Sequence, residues 1–376
     1  MRTCVIGALL AALAVAVPGA NSSASTPRTS VASLAFAKEL ETRAQPCSQK
    51  PTRRRYVSST GSDRARGSLS HPWRTIGAAL RRAAPGDVVY VRSGTYPEWA
   101  TTRRDGTARN SITLRAYPGE RPVVTGRLKI EDAFFCVQGL RFLGRTSANT
   151  NQTLIYVSGA SHVEILRNKI MNAAMSGIFV GDDGDLSEDV SIVGNEIRGN
   201  GNRDRFDHGI YLGHLRGGLI ANNLVSENRA IGVKVEPEAD DVIVTQNTVV
   251  DNGKDGVVVG GEEGWSSNGN LVVNNIIAFN RAWGIRTYWE DRTGSGNRAV
   301  RNLIFRNEEG NVWLPGGGMS VVKSIFANPR FVGTDNYRLR AGSPALNRAL
   351  PAFSMRVDMN GRQRHRGRAD LGALER

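Results

Sequence analysis

Residues 195–200 read Asn-Glu-Ile-Arg-Gly-Asn, and residues 247–252 read Asn-Thr-Val-Val-Asp-Asn. This unit, a short apolar strand between two Asn residues, recurs along the middle of the chain. Its first Asn lies at 168, 195, 222, 247, 274 and 302, which gives spacings of 27, 27, 25, 27 and 28 residues. The second Asn lies at 172, 200, 228, 252, 280 and 307. A fixed period of this length indicates a repeat architecture.

The repeat unit is too short to bury its own apolar face. Stacking successive units about 4.8 Å apart pairs their strands in parallel and closes one continuous core. Leucine-rich repeats have a similar length, but β-branched strand residues and paired Asn favour a β-helix. We therefore predict an all-β fold, a right-handed parallel β-helix, in which the recurring Asn residues are scaffold that tolerates left-handed backbone.

The two ends of the chain differ from this repeat. An apolar run from Val5 to Val17 follows Met1-Arg2 and is typical of a signal peptide, being too short for a membrane span. Residues 72–84 have apolar residues at helical spacing, which predicts a helix that caps the open end of the stack. The predicted divisions are 1–24 signal peptide, 25–50 flexible lead-in, 51–109 N-terminal strand and helix cap, 110–312 β-helix coils, and 313–376 C-terminal end and tail.

Composition and charge narrow the partners. The chain has 49 Lys and Arg against 35 Asp and Glu, a formal charge of +14, which indicates an anionic partner or a basic surface that aids solubility. No zinc-binding spacing, basic helix or aromatic RNA-binding signature is present in the sequence, so we expect no nucleic acid. With the leader removed we expect a secreted or periplasmic monomer without membrane insertion. Its two cysteines, Cys47 and Cys136, either pair in an oxidising compartment or leave Cys136 as plain core.

A second pattern predicts a groove. In each repeat a Gly precedes an apolar, inward-facing residue, so the next residue points outward. The outward column is Phe179, Tyr211, Lys234, Val258 and Arg286, and two residues further on it is Gly181, Gly213, Glu236, Gly260 and Tyr288.

The polar members of this groove suit β-elimination from a uronic acid. The C5 proton becomes removable when a cation neutralises the adjacent carboxylate, a role for Arg286 or for Ca²⁺. Lys234 serves as the base if burial and nearby positive charge lower its pKa; the alternative is a solvated lysine. His208 and Tyr211 complete the predicted catalytic set as acid, base or orienting groups. Predicted substrate-binding residues are Asp207, Glu236, His214, Trp265, Tyr288 and Trp289, and predicted Ca²⁺ ligands are Asp182, Asp183 and Asp207, the first two being alternatively a polar turn.

Three stretches near the N-terminus resemble the cap of bacterial β-helix polysaccharide lyases. They are Tyr56-Val57-Ser58 with Thr60-Gly61-Ser62-Asp63, Pro72 to Ile76, and Pro85-Gly86-Asp87 to Gly94-Thr95-Tyr96. The tail is similar to their C-terminal ending at Asn328-Pro329-Arg330-Phe331, Tyr337-Arg338-Leu339, Gly342 to Ala345, Gly361-Arg362 and Asp370 to Ala373. The resemblance implies the fold more specifically than the reaction.

Within the repeats, Gly232-Val233-Lys234-Val235 is similar to the strand that carries the base lysine in polysaccharide lyase family nine, the pectate lyases. That family has a run of calcium-binding aspartates one rung earlier, where this chain has Asp207-His208-Gly209-Ile210-Tyr211. Only Asp207 matches, and His and Tyr beside Lys and Arg look more like alginate lyases and C5-epimerases.

Four functions follow from these observations. The first is a lyase acting on an acidic polysaccharide, and the second is a C5-epimerase using the same proton abstraction. The third is a glycoside hydrolase, which needs two carboxylates, available from Asp182, Asp183, Asp207 and Glu236. The fourth is a non-catalytic glycan-binding surface protein.

Overall fold

The computed structural model describes residues 47, 51–145, 152–181, 185–203, 205–288 and 293–376. Apart from Cys47, the predicted signal peptide and lead-in lie outside these residues. In the described part, 29 strands, β1 to β29 in chain order, form three parallel sheets. None of its helices is long and apolar enough to cross a membrane.

From β2 onward each sheet contains every third strand of the chain, and β1 pairs with β2 at the start of sheet 1. Sheet 1 consists of β1 (Arg53–Val57), β2 (Asp87–Val91), β5 (Ile112–Ala116), β8 (Phe135–Gln138), β11 (Ser161–Leu166), β14 (Ser187–Val193), β17 (Leu215–Ala221), β20 (Ala239–Thr245), β23 (Leu271–Val273), β26 (Asn297–Val300) and β29 (Met319–Val322). Sheet 2 consists of β3 (Thr95–Tyr96), β6 (Val123–Val124), β9 (Arg141–Leu143), β12 (Lys169–Met171), β15 (Glu196–Arg198), β18 (Leu224–Ser226), β21 (Thr248–Val250), β24 (Ile276–Ala278) and β27 (Leu303–Phe305). Sheet 3 consists of β4 (Ala100–Thr101), β7 (Leu128–Ile130), β10 (Ile155–Val157), β13 (Ile178–Val180), β16 (Ile210–Leu212), β19 (Val233–Val235), β22 (Val257–Gly260), β25 (Trp283–Tyr288) and β28 (Gly310–Trp313).

The predicted fold is confirmed: the chain is a right-handed parallel β-helix. Every coil passes through sheets 1, 2 and 3 in turn, and the inward residues of all three fill one apolar core. The stack is longer than the predicted coil region of 110–312. Strands β1 to β4 already pair in the three sheets, and β29 continues sheet 1 beyond residue 312. The sequence did not show these coils because they lack the paired Asn residues.

The capping helix, α1, spans Ile76–Arg82 and is shorter than the predicted 72–84. Its start is fixed by Thr75, whose side chain accepts a hydrogen bond from the Ala78 amide, and residues before it are held as extended chain by a bridge between Trp73 and Val57. The helix packs against β1 and β4, the first strands of two sheets. Its apolar face, including Ile76 and Leu80, joins the core.

Buried Asn ladders hold the coils in register, but three predicted members were wrong. The ladder at the corner between sheets 1 and 2 runs through Asn168, Asn195, Asn223, Asn247, Asn275 and Asn302, each side chain bonded to the next coil. Asn222 and Asn274, the predicted members, have positive φ and point outward to the tail. The second ladder, between sheets 2 and 3, runs through Asn200, Asn228, Asn252, Asn280 and Asn307, without the predicted Asn172.

The C-terminal tail lies along the outside of the stack. Three outward residues at one corner, in consecutive coils, bond it: Asn222 to Val357, Gln246 to Met355, and Asn274 to Leu350. Near the other end of the chain, Cys47 is disulfide-bonded to Cys136, with their Cα atoms 5.9 Å apart.

Candidate active site

The outward face of sheet 3 brings the predicted column together. The strand register pairs Phe179 with Tyr211, Tyr211 with Lys234, Lys234 with Val258, and Val258 with Arg286. Val258 is fully buried, so Lys234 and Arg286 flank a small apolar step. This juxtaposition follows from alternation along each strand and from the parallel register of the coils.

Tyr211, Lys234 and Arg286 of this column line a pocket of about 550 Å³. Six of its lining residues were predicted from the sequence as site residues: His208, Tyr211, Lys234, Glu236, Arg286 and Tyr288. It did not assign roles to the others, which are Arg205, Phe206, Ile231, Lys254, Asp255 and Glu262. One signal was available for Asp255: like His208, it directly precedes the Gly that opens a sheet 3 strand.

Lys234 and Glu236 form an ion pair at the floor of the pocket. The Lys234 Nζ atom lies 2.8 Å from Glu236 Oε1, and only 1% of the Glu236 side chain is exposed. Nζ also lies 4.5 Å from the centroid of the Tyr211 ring. Burial acts to lower the pKa of Lys234, but the Glu236 carboxylate and Tyr211 raise it, and the net result is a raised pKa. The lowered pKa on which a base role for Lys234 was made conditional is therefore not found.

The other titratable groups of this cluster are also shifted. Burial raises the pKa of the Glu236 carboxyl, against the opposing effect of Lys234. The second carboxylate oxygen, Oε2, is buried without a hydrogen-bond partner among the described residues. Burial likewise raises the pKa of the Tyr211 phenol, although Lys234 acts to lower it. The pocket therefore holds a phenol that stays protonated and a carboxyl with increased proton affinity.

His208 is fully buried and neutral. Burial, and then the charge of Lys234, lower its pKa well below the usual value of 6.5. Its Nδ1 atom accepts a hydrogen bond from the Ile231 amide at 3.3 Å, so the proton of the neutral ring is on Nε2. Nε2 has no partner within the described part of the chain. His208 is therefore a fixed hydrogen-bond donor.

The guanidinium of Arg286 lies over two aromatic rings. Its guanidinium carbon lies 4.3 Å from the Trp313 ring centroid and 4.6 Å from that of Tyr288. The Asp255 carboxylate is 3.7 Å from Nη1, while Nε is buried and unpartnered among the residues described. Stacking fixes the plane of the guanidinium, which suits two-point binding of a carboxylate.

Asp207 has a structural role instead of the predicted contact with substrate or metal. Its buried carboxylate accepts hydrogen bonds from the amides of Asn202 and Arg203 and from the Arg203 guanidinium, which closes the loop before β16. Both carboxylate oxygens of Asp207 accept hydrogen bonds within this loop, and Asp207 does not line the pocket.

His214 and Trp265, which were predicted to bind substrate, do not line this pocket. The Nδ1 atom of His214 is 2.7 Å from Glu238 Oε2, and its ring meets the Trp265 ring edge-on at 5.5 Å. Trp265 is 47% exposed on the loop after β22, so it is available only to a ligand longer than the pocket.

The predicted calcium site is not assembled by the residues that the structure describes. Asp182 and Asp183 lie outside them, as does Trp289, and Asp207 is committed to its loop. Within the described ranges, the one group of three potential ligand atoms within 4.8 Å of one another is Cys47, Cys136 and Glu164. This group offers a single carboxylate, whereas Ca²⁺ takes six to eight oxygen ligands. Beside Lys234, the Glu236 carboxylate is paired with a cation already. Calcium binding therefore stays a prediction, since two of its three expected ligands are outside the described residues.

Family models and solved structures match this architecture. A Pel9A-like right-handed β-helix model matches residues 55–201, and a general right-handed β-helix model matches residues 138–304. The crystal structure of pectate lyase Pel9A superimposes with a TM-score of 0.60, at 14% identity, over 91% of this chain and 100% of that one. The chain is a right-handed β-helix protein that resembles polysaccharide lyases. At this identity the structural likeness establishes the fold.

Other relatives do not assign one reaction. YwoF of Bacillus subtilis, an uncharacterized protein, is 27% identical over 67% of this chain and 68% of its own length. Pectate lyase PEL9 of Emericella nidulans is 38% identical over 73 residues, which are 19% of this chain and 18% of that protein. A solved glycoside hydrolase has a TM-score of 0.53 at 9% identity, over 73% of this chain and 95% of its own. Polysaccharide-active proteins of both classes therefore share the fold.

Proposed function

We propose that the pocket binds a uronate-containing polysaccharide and cleaves it by β-elimination. The observation that supports this is the outward column of Tyr211, Lys234 and Arg286, with the buried Glu236 beneath Lys234. In the proposal these side chains, on consecutive or near-consecutive coils, supply a carboxylate-binding cation, a proton acceptor and a proton donor.

In this mechanism Arg286 binds the uronate carboxylate and stabilises the negative charge that develops when C5 loses its proton. Lys234 must first become an amine, and it does so by passing a proton to Glu236, whose buried carboxyl has a raised pKa. The amine then takes the C5 proton, the C4–O bond breaks, and a C4–C5 double bond forms. The Tyr211 phenol protonates the departing oxygen, and the Lys234 ammonium returns its proton to Tyr211.

The test is to incubate the purified protein with pectate, alginate and glycosaminoglycans, with and without a calcium chelator. The unsaturated product of elimination absorbs in the near ultraviolet. We expect Lys234→Ala to abolish this absorbance. Lys129→Ala is a matched control, because Lys129 lies in the same outward column and pairs with Glu131 two residues on, as Lys234 pairs with Glu236. Unchanged turnover in Lys234→Ala would remove Lys234 from the mechanism.

Glycoside hydrolysis is the second candidate, because three carboxylates, Glu236, Asp255 and Glu262, line the same pocket. Burial raises the pKa of both Glu236 and Asp255, and a general acid needs such a shift. A hydrolase would release reducing ends without near-ultraviolet absorbance, and Glu236→Gln would abolish its activity.

We further propose that the protein is exported. The leader pattern at residues 1–24 and the bond between Cys47 and Cys136 support this, since structural disulfides persist in oxidising compartments. The N-terminal sequence of the mature protein, isolated outside the cytoplasm, tests the proposal. A mature protein that retains Met1, found in the cytoplasm, would contradict it.

A further inference from the structure

Basic side chains also line the corner beside the pocket, where sheet 2 turns into sheet 3. Arg229, Lys254 and Arg281 come from three consecutive coils, and all three side chains are exposed. Backbone hydrogen bonds fix this corner: the Gly253 amide donates to Asn228, Lys254 to Ala230, and Arg281 to Asn252. The three cations therefore follow the axis of the stack, one per coil.

The strip has a defined end. In the next coil the positions that stack on Arg281 and Ala282 are Glu308 and Glu309, whose amides bond Asn280 and Ala282. Both of these glutamates are exposed. Because the charge of the exposed side chains reverses after three coils, an anionic ligand can contact the basic side chains over these three coils.

The strip lines a second depression, of about 320 Å³, that shares Lys254 with the candidate active site. Two acids also line it, but both have partners on the side of the tail: Glu227 lies 2.6 Å from Arg198, and Asp251 accepts the Tyr337 hydroxyl at 2.9 Å. Lys254 and Arg281 form no ion pair with any carboxylate in the described ranges. Their charges are directed to solvent.

We propose that Arg229, Lys254 and Arg281 form an anion-binding strip that holds the carboxylates of sugar residues next to the one being cleaved. The coil spacing of about 4.8 Å is comparable to the length of one sugar unit, so a chain laid along the strip passes about one cation per sugar. This inference rests on the proposed function and specifies its substrate as a polymer of consecutive uronates. A short uronate fills the pocket and reaches only Lys254 of the strip.

The test compares Lys254→Gln/Arg281→Gln with a control pair, Arg167→Gln/Lys323→Gln. The control removes one Lys and one Arg, both exposed, from the corner between sheets 1 and 2. Binding to alginate and polygalacturonate, as long chains and as short oligomers, is measured by calorimetry in the Lys234→Ala background, which prevents turnover. We expect the strip variant to lose about tenfold in affinity for the long chain at low salt, and the control pair to lose much less.

The expected loss should be smaller for the short oligomer, which contacts Lys254 but not Arg281, and it should shrink as salt screens the charges. Equal affinity of the strip variant and the control pair for the long chain would overturn the inference, even if elimination is observed. If binding depends on the strip but the protein that retains Lys234 forms no unsaturated product, the proposed function is overturned and the inference about the strip stands. Single-stranded DNA of equal charge is the competitor; if it binds as tightly as the uronan, the assignment to uronates is wrong.

Discussion

Replacing Asn247 with Ala should destabilise the whole stack, because this side chain joins three coils. Its Oδ1 atom accepts hydrogen bonds from the amide and the side chain of Asn223, both at 2.9 Å. Its Nδ2 atom donates to the Ile220 carbonyl at 2.8 Å and to Asn275 Oδ1 at 3.0 Å. Asn247 is 0% exposed, so water cannot replace these partners.

Four hydrogen bonds are lost, each with a net contribution of about 1 kcal/mol, so we expect a decrease of about 4 kcal/mol in the free energy of unfolding. That is a large fraction of the roughly 5–15 kcal/mol typical of native proteins. Urea unfolding, followed by circular dichroism, measures it. Asn336→Ala, at an exposed tail position, is the control and should change stability by less than about 0.5 kcal/mol. A difference between the two variants below about 1 kcal/mol would refute the ladder as a source of register and stability.

Three further predictions concern the pocket. Because the folded protein keeps His208 neutral while the unfolded chain protonates it below about pH 6.5, stability should fall as pH decreases from 7 to 5; His208→Gln should flatten this decrease in urea unfolding, and parallel curves would contradict it. Gly260→Ala would place a Cβ 2.0 Å from Glu236 Oε2, so we expect loss of most turnover with the fold retained, whereas Gly333→Ala, with open space around it, should be neutral; equal turnover in both variants would exclude a role for the Glu236 position. Glu236→Gln removes the carboxylate that raises the pKa of Lys234 and that accepts its proton in the proposed elimination. Lys234 must then lose its proton to solvent, so turnover in the pH–rate profile should fall at neutral pH and recover as pH rises, while complete loss at every pH would identify Glu236 itself as the reacting group.

The sequence was sufficient for the architecture, because a recurring Asn and an apolar alternation are direct consequences of stacking. It was insufficient for the exact ladder, since at Asn222-Asn223 and Asn274-Asn275 either residue satisfies the period. Only packing shows which of each pair turns inward. The first coils were missed for a related reason: their corners are closed by residues other than Asn.

The site was predictable to the extent that it depends on alternation. Tyr211, Lys234 and Arg286 share a face because they occupy equivalent strand positions, and Glu236 shares it two residues on. The electrostatics were not predictable, because the effect of Glu236 on Lys234 depends on how deeply both are buried. Asp207 was assigned wrongly because a carboxylate that closes its own loop has the same sequence signature as a ligand.

The tail gives the stack an order of completion. It is bonded through Asn222, Gln246 and Asn274, which belong to coils that leave the ribosome more than seventy residues before Leu350. Those corner residues, and the apolar surface that the tail covers, must stay open until synthesis is nearly finished. A chain that stops short would therefore leave these corner residues without their tail partners and the apolar surface beside them exposed along three coils, although all of its pocket residues precede the tail.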